Sequence, residues 1–299
     1  MPANRSCGEA IAGLLEGYGV DTVFGIPGVH TLELYKGLAG SDIRHILPRH
    51  EQGAGFMADG YARASGKPGV CYVITGPGVT NIATAMGQAW SDSVPMLVIS
   101  SVNETEHLGQ GRGRLHEITD QQAVTAPLAA GSSLAMNTPE IPPFLHKAFA
   151  SFTLARPRPW HLSAPLDVLA AMADGDWKPG VMAPAPEPDR GQLETARQWL
   201  AAAERPVILL GGGAVAVERE AVTKLAESLG AAVVTTTAGK GIFPDSHALS
   251  LGGTLALEPT QRFLAEADIV LILGSELAET DWWMDRMPEL SGKTVRVDI

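Results

Sequence analysis

Three short segments in the first third of the chain carry residue types that suit chemistry. They are Gly25-Ile26-Pro27-Gly28, Arg49-His50-Glu51-Gln52-Gly53 and Thr75-Gly76-Pro77-Gly78-Val79-Thr80-Asn81. Each follows an apolar run that reads as a strand. Ligands of open α/β sheets bind at the carboxyl ends of strands, so three such turns can meet at one crevice. Glycine lets the backbone approach a flat ligand, and proline fixes the turn. Glu51 stands at a strand-to-helix junction among small residues. There a carboxylate either complements the macrodipole of the helix it opens or holds and returns a proton on a bound group. By spacing alone the first role is the commoner one, and each glycine-proline pair is ordinary turn chemistry.

Hydrophobic periodicity supplies the elements that must hold these turns. Ser6 and Glu9 have the spacing of a capping box, and Ala10, Ile11, Leu14, Leu15 and Tyr18 follow at helical intervals up to Gly19. Thr22–Ile26 then reads as a strand, Leu32–Leu38 as a helix and Ile43–Leu47 as a strand. His50–Ala64 reads as a helix, Gly69–Thr75 as a strand, Asn81–Trp90 as a helix and Pro95–Ser101 as a strand. Thr80 is the natural N-cap before Asn81. Leu145–Phe152 looks helical and Trp160–Ser163 extended. This alternation predicts an α/β fold, a doubly wound parallel sheet with helices on both faces. Residues 173–191 hold Pro179, Pro184, Pro186 and Pro188 and read as an extended linker. Beyond it the pattern restarts. Gln192–Ala203, Glu218–Leu229 and Thr260–Ala267 read as helices, and Pro206–Leu210, Ala231–Thr237, Asp268–Leu273 and Val295–Ile299 as strands. The expected organisation is a first domain over 1–172, a linker over 173–191, and a smaller Rossmann-like α/β domain over 192–299 that ends short of its last elements.

Composition removes several classes. Of 299 residues, 45% are hydrophobic and 18% charged, enough to bury a core. Lys and Arg number 22 against 33 Asp and Glu, a net charge of −11, with no long basic block. Nucleic acid and an anionic membrane are therefore not expected as partners. Cys7 and Cys71 are too few for a disulfide framework or a cysteine zinc site. No apolar run approaches the ~20 residues of a membrane span, and residues 1–8 lack the pattern of a signal peptide. The expected location is the cytoplasm. His30, His45, His146, His161 and His247 lack helical metal spacing, so no metal ligands are assigned in this sequence.

Taken together, Phe24-Gly-Ile-Pro-Gly28, Arg49-His-Glu-Gln-Gly53, Ala58-Asp-Gly-Tyr-Ala-Arg63, Gly76-Pro-Gly78 with Thr80-Asn81, and Asp92-Ser-Val-Pro95 resemble a family. They are similar to the pyrimidine-binding domain of thiamine-diphosphate enzymes of the acetolactate synthase, pyruvate oxidase and 2-oxoacid decarboxylase group. The likeness covers residues ~5–170 strongly and the second half more loosely. It implies that Glu51 hydrogen-bonds N1′ of the cofactor's aminopyrimidine and so governs loss of the C2 proton. It implies that Pro27, Gly28, Thr75, Gly76, Pro77, Gly78 and Asn81 line the cofactor crevice. It also makes His116 a candidate substrate or proton-relay residue. Mg2+ and the diphosphate are held in this family by a further domain with a Gly-Asp-Gly segment that this sequence does not contain. The expected complement is that domain, in a longer chain or on a separate chain.

The implied activity is decarboxylation or carboligation of a 2-oxo acid in a homodimer or tetramer. The alternatives are an acetolactate synthase-like carboligase and a non-catalytic assembly subunit. Leu115-His116-Glu117 departs from the Phe-Gln-Glu of acetolactate synthases. Residues 28–35 and 113–117 are more similar to the decarboxylases of 5-guanidino-2-oxopentanoate, and Glu117 and Asp120 could meet a guanidinium, although a solvated acidic loop is the commoner arrangement. Gly211-Gly-Gly-Ala-Val-Ala216 fits a dinucleotide fingerprint, but the acidic residue an NAD site needs is missing from Thr235-Thr-Thr237. The family sometimes binds FAD in this domain. The arginine usual in flavin-binding relatives is absent after Gly274, so FAD is disfavoured. Trp282-Trp283 reads as a core or interface patch rather than a ligand platform.

Overall fold

The capping box at the start of the chain is formed. Ser6 Oγ accepts from Glu9 N–H at 3.4 Å and Glu9 Oε2 accepts from Ser6 N–H at 2.7 Å. These bonds satisfy donors that a helix N-terminus leaves unpaired. The helix they open, α1 (Cys7–Gly17), buries Ile11, Leu14 and Leu15 at the expected spacing. The computed structural model describes residues 5–283 and 287–299. Residues 1–4, part of the N-terminal segment considered above, lie outside them. The chain divides into two units, Met1–Ala185 and Pro186–Ile299.

The first unit continues with β1 (Thr22–Gly25), α2 (Leu32–Ala39), β2 (Arg44–Ile46), α3 (Glu51–Ser65), β3 (Gly69–Val73), α4 (Pro77–Ser91) and β4 (Met96–Val102). After a long loop come α5 (Gln121–Thr125), β5 (Gly131–Leu134), α6 (Ile141–Leu154), β6 (Trp160–Pro165) and α7 (Leu166–Ala170). The sheet order is β2-β1-β3-β4-β6-β5 with every neighbour parallel. From β1 the chain moves outward to β2, then crosses back and runs the other way through β3. The order therefore reverses between β1 and β3, where a crevice opens at the strand ends. One face of the sheet packs a core that includes Leu14, Leu34, Ile99 and Leu145. The other face packs Ala54, Ala58, Ile82 and Met86 of α3 and α4. Small residues let these two helices approach closely: a Cβ on Gly55 would stand 2.4 Å from Ala85 Cβ. Arg63 ties the pair together through Asp59 (2.6 Å) and Asp92 (2.6 Å).

Besides the short helices α5 and α7, which are not expected from the sequence, three features differ from the predicted pattern. Helix α4 begins at Pro77 rather than Asn81, with Gly76 as its N-cap in place of Thr80. Proline suits the first helical turn because its missing N–H is unneeded there. Strand β5 has the polar sequence Gly-Ser-Ser-Leu and lies at the sheet edge, so no apolar alternation announces it. The proline-rich segment is packed in its first half. Trp177 is buried in the first core, and Gly180 N–H donates to the Tyr18 hydroxyl at 3.0 Å. A tryptophan in a proline run gives no periodic signal.

His161 on β6 is fully buried between Ser100 and Thr125. Burial pushes its pKa down to about 3, because an uncompensated charge is costly there. The unfolded chain binds this proton near the usual value of about 6.5, well before the folded one does. Stability is thus complete above that value and falls as pH drops, by about 2 kcal/mol between neutral pH and pH 5. His30, also held below its usual value by burial, adds in the same direction. Denaturant titrations at pH 7, 6 and 5 should show this loss. A flat profile would mean that His161 is not buried and neutral.

The second unit holds α8 (Arg190–Ala201), β7 (Pro206–Leu210), α9 (Arg219–Leu229), β8 (Ala232–Thr235), β9 (Ser250–Gly252), α10 (Glu258–Ala265), β10 (Ile269–Leu273), α11 (Glu279–Trp282) and β11 (Lys293–Val297). Its sheet is parallel throughout in the order β11-β10-β7-β8-β9. Ile208, Val233 and Leu271 lie in the core on one face, and Val207, Val234 and Val270 in the core on the other. Trp282 is buried and Trp283 exposed, so the pair forms no single aromatic platform. No helix among the described residues is long and apolar enough to cross a membrane.

Candidate active site

Glu51 is the first residue of α3. His50 precedes it as N-cap, its Nδ1 accepting from Gln52 N–H at 3.1 Å. Glu51 is half-buried, and its Oε2 accepts from Asn81 Nδ2 at 2.9 Å. Asn81 lies in the second turn of α4, so it is not a capping residue. The two helices that follow β2 and β3 therefore meet through this carboxylate–amide bond near their N-termini. That is a favourable place for negative charge. Oε1 of Glu51 accepts no hydrogen bond among the described residues. Gly53, in the same turn, borders open space.

Gly76 forms the adjacent wall. Its φ of 60° and ψ of −101° suit only glycine. A Cβ here would stand 2.1 Å from the His116 carbonyl oxygen. Gly76 N–H donates to Gln121 Oε1 at 2.8 Å. Ile74 joins the turns after β1 and β3. A Cβ on Gly28 would stand 2.7 Å from Ile74 Cδ1, and one on Gly78 2.9 Å from Ile74 Cγ2. Pro27 and Pro77 are exposed at the crevice edge. Thr75 is buried, its hydroxyl turned to His30 Nδ1 (2.9 Å) and Ser101 Oγ (3.3 Å). Its side chain therefore supports the crevice from below instead of lining it.

That contact draws in a residue that sequence reasoning treated only as a non-ligand. His30 is buried, and its ring centroid lies 6.1 Å from that of His116, edge-on. Burial first, and then the neighbouring His116, hold His30 below the usual histidine range, while Glu104 works against them. His116 has a φ of 58°, the left-handed region, inside a loop with three positive-φ glycines at 109, 111 and 113. The loop brings His116 over Gly76. A histidine two residues after a Pro-Gly turn carries no local signal of burial, because the covering loop lies some eighty positions away.

Glu117 and Asp120 are engaged within the loop itself. Glu117 accepts from the N–H groups of Gly111 and Arg114, each at 2.9 Å. These bonds hold its carboxyl below the usual range. Asp120 caps α5 by accepting from Ala123 N–H at 2.9 Å. Both oxygens of Glu117 and one oxygen of Asp120 thus serve the loop and its helix cap.

A sequence profile described as "Thiamine pyrophosphate enzyme, N-terminal TPP binding domain" matches residues 5–124. A second, "Thiamine pyrophosphate enzyme, central domain", matches residues 193–299. The chain belongs to the thiamine pyrophosphate enzymes. It is 56% identical over 299 residues to a probable 2-ketoarginine decarboxylase of Pseudomonas aeruginosa, covering 98% of this chain and 53% of that protein. It is 37% identical over 283 residues to an acetolactate synthase of Mycobacterium bovis, 89% of this chain and 44% of that one. With acetolactate synthase isozyme 1 large subunit of Escherichia coli it shares 34% over 296 residues, 97% and 52% of the two chains. The chain thus spans about half the length of the curated relatives it matches.

In this chain the glycine fingerprint of the second unit has a packing role. A Cβ on Gly211 would stand 2.2 Å from the Gly274 carbonyl oxygen, and Gly213 N–H donates to that oxygen at 2.9 Å. The glycines allow the turns after β7 and β10 to touch. Among the described residues no three His, Cys, Asp or Glu side chains cluster to hold a metal ion.

Proposed function

We propose that this chain forms the aminopyrimidine half of a thiamine pyrophosphate site in a decarboxylase of a guanidino 2-oxo acid. The 56% identity to a probable 2-ketoarginine decarboxylase, across 98% of the chain, carries the choice of reaction. The acetolactate synthases, at 34–37%, stand further off. The crevice fits such a cofactor in its donor set. Glu51 keeps one oxygen on Asn81 and has the other to spare for a ring nitrogen. Gly76, Pro77 and Gly78, with Pro27 and Gly28, make a wall without bulky side chains. When bound, the cofactor supplies a nucleophilic carbon and a sink for the electron pair left by carbon dioxide. Glu51 holds a proton at N1′ and so controls the basicity of the neighbouring amino group. His116, with His30 beneath it, is placed to hold a proton where the 2-oxo acid enters.

We place the Mg2+ and diphosphate ligands outside residues 1–299, on a longer form of the chain or a separate one. The proposed assembly is a homodimer or tetramer. The outer face of α3, with Phe56 and Met57 exposed and Gly60 bordering open space, suits a second copy. The two free, buried cysteines suit a reducing cytoplasm.

The assembled enzyme, supplied with thiamine pyrophosphate and Mg2+, should release carbon dioxide from 5-guanidino-2-oxopentanoate with kcat/KM at least about tenfold above that for pyruvate. That ratio corresponds to about 1.4 kcal/mol of discrimination. Condensation of two pyruvates as the main reaction would instead establish a carboligase. No turnover with either acid would establish a non-catalytic subunit.

A further inference from the structure

Below the crevice runs a hydrogen-bonded chain of buried side chains that the proposed reaction does not itself use. Gln121, the first residue of α5, is buried. Its Oε1 accepts from Gly76 N–H at 2.8 Å, which sets the orientation of the amide. Its Nε2 then faces Ser101 O (2.9 Å), Ser100 Oγ (2.8 Å) and Ser163 Oγ (2.9 Å). Beyond Ser100 lies His161 Nε2, at 2.8 Å. His161 Nδ1 lies 2.7 Å from Thr125 Oγ1, which donates its own hydrogen to the Gln122 carbonyl at 3.2 Å.

The contacts admit a consistent donor assignment. Thr125 Oγ1 lies within reach of Gln122 O, Ser132 Oγ (2.8 Å) and His161 Nδ1; with its one hydrogen on Gln122, its oxygen accepts from His161 Nδ1–H. The neutral His161 then offers Nε2 as an acceptor, and the Ser100 hydroxyl donates to it. The Ser100 oxygen is thereby left to accept from Gln121 Nε2. One hydrogen of that amide goes to the Ser101 carbonyl, and the other is shared between Ser100 Oγ and Ser163 Oγ. The final acceptor of the chain, Gln121 Oε1, is left for Gly76. Gly76 is buried, and its N–H lies outside the helical ladder of α4. Without Gln121 this N–H would be buried and unpaired, a state that favours relaxation of the turn.

We infer that Gln121, oriented between the Ser101 carbonyl and the Gly76 N–H, is a positioning residue. It holds the Gly76-Pro77 turn in the geometry that receives the aminopyrimidine ring. The inference rests on the cofactor reading above. It adds that the wall is set by a buried polar chain reaching from β4, β6 and α5, and not by the glycine-proline sequence alone.

The test compares the assembled wild-type enzyme with Gln121→Met and Gln122→Met. Gln122 serves as the control because its Nε2 also donates a hydrogen bond, partly buried, to Ser132 O at 2.7 Å, without contact to Gly76. Thiamine pyrophosphate is titrated calorimetrically with Mg2+ in excess, and kcat is read at saturating cofactor. Gln121→Met should raise the cofactor Kd at least about tenfold while kcat changes less than about threefold. Gln122→Met should leave Kd within about twofold. An unchanged Kd in Gln121→Met, or equal losses in the two variants, overturns the inference and leaves the cofactor reading intact. A wild-type enzyme that binds no thiamine pyrophosphate overturns both.

If Gln121→Met does not fold, amide exchange in the unaltered chain decides. Thr75-Gly76 is the single Thr-Gly pair in the sequence, so carbon-labelled threonine with nitrogen-labelled glycine gives one signal for the Gly76 amide. Strong protection of that amide is expected, and exchange at the rate of a free peptide overturns the inference.

Discussion

Replacing Glu51 by glutamine in the assembled enzyme should slow deuterium exchange at C2 of bound thiamine pyrophosphate by about 10²–10⁴-fold. The substitution is nearly isosteric. A glutamine carbonyl can still accept from Asn81 Nδ2, so the link between α3 and α4 survives. What is lost is the proton that a carboxyl can hold at N1′ and release again, because an amide N–H does not titrate. Cofactor affinity should therefore change less than the exchange rate does. A Kd within about tenfold of wild type, with exchange slowed by two orders of magnitude or more, separates proton control from simple binding. Exchange at the wild-type rate would show that Glu51 serves only the helix N-terminus it occupies.

Substitution of Gly76 by alanine carries the second large effect. Two costs combine at this residue. Its φ and ψ lie where a side chain adds about 1–3 kcal/mol of backbone strain. The added Cβ would also meet the His116 carbonyl oxygen at 2.1 Å. That oxygen belongs to backbone, and the loop bearing it is pinned nearby by Asn103, whose Nδ2 donates to Leu115 O at 3.1 Å. The clash is thus relieved only by moving the loop or the turn. We expect Gly76→Ala to lose at least about 3 kcal/mol in denaturant unfolding, or to keep its fold with the His116 loop displaced and cofactor affinity lost. A variant within about 1 kcal/mol of wild type that binds cofactor normally would show that the turn is not held as described.

The parts of this site that are local in sequence were legible before any coordinates. The capping box, the strand-to-helix junction at Glu51 and the glycine-proline turn after β3 each follow from neighbours within a few residues. Even there one boundary shifted. Gly76-Pro77-Gly78 reads as a turn, yet its proline already lies in the first turn of α4, which moves Asn81 from helix start to helix interior. The groups beneath the crevice were not legible. His30, Thr75, Ser101 and Gln121 come together only when the strand order brings β3 beside β4 and the 103–120 loop folds back over Gly76. A buried serine or glutamine has the same sequence signature as a solvated one. Trp177 was hidden for a related reason, since its burial depends on tertiary packing and not on a repeating pattern. In the second unit the glycine fingerprint was visible, but its observed use in packing β7 against β10 needs the contact with Gly274.

The most direct measurement is a thermodynamic cycle on the contact between Glu51 and the cofactor ring. Thiamine pyrophosphate and an analogue with carbon in place of N1′ are each titrated, with Mg2+, into the assembled wild-type and Glu51→Ala enzymes. If Glu51 meets N1′, loss of the nitrogen should weaken binding strongly in the wild type and little in the variant. The coupling expected for a hydrogen bond to a charged group is about 1.5–3 kcal/mol. Additive losses, with the analogue weakened equally in both enzymes, would contradict the placement of the aminopyrimidine against Glu51.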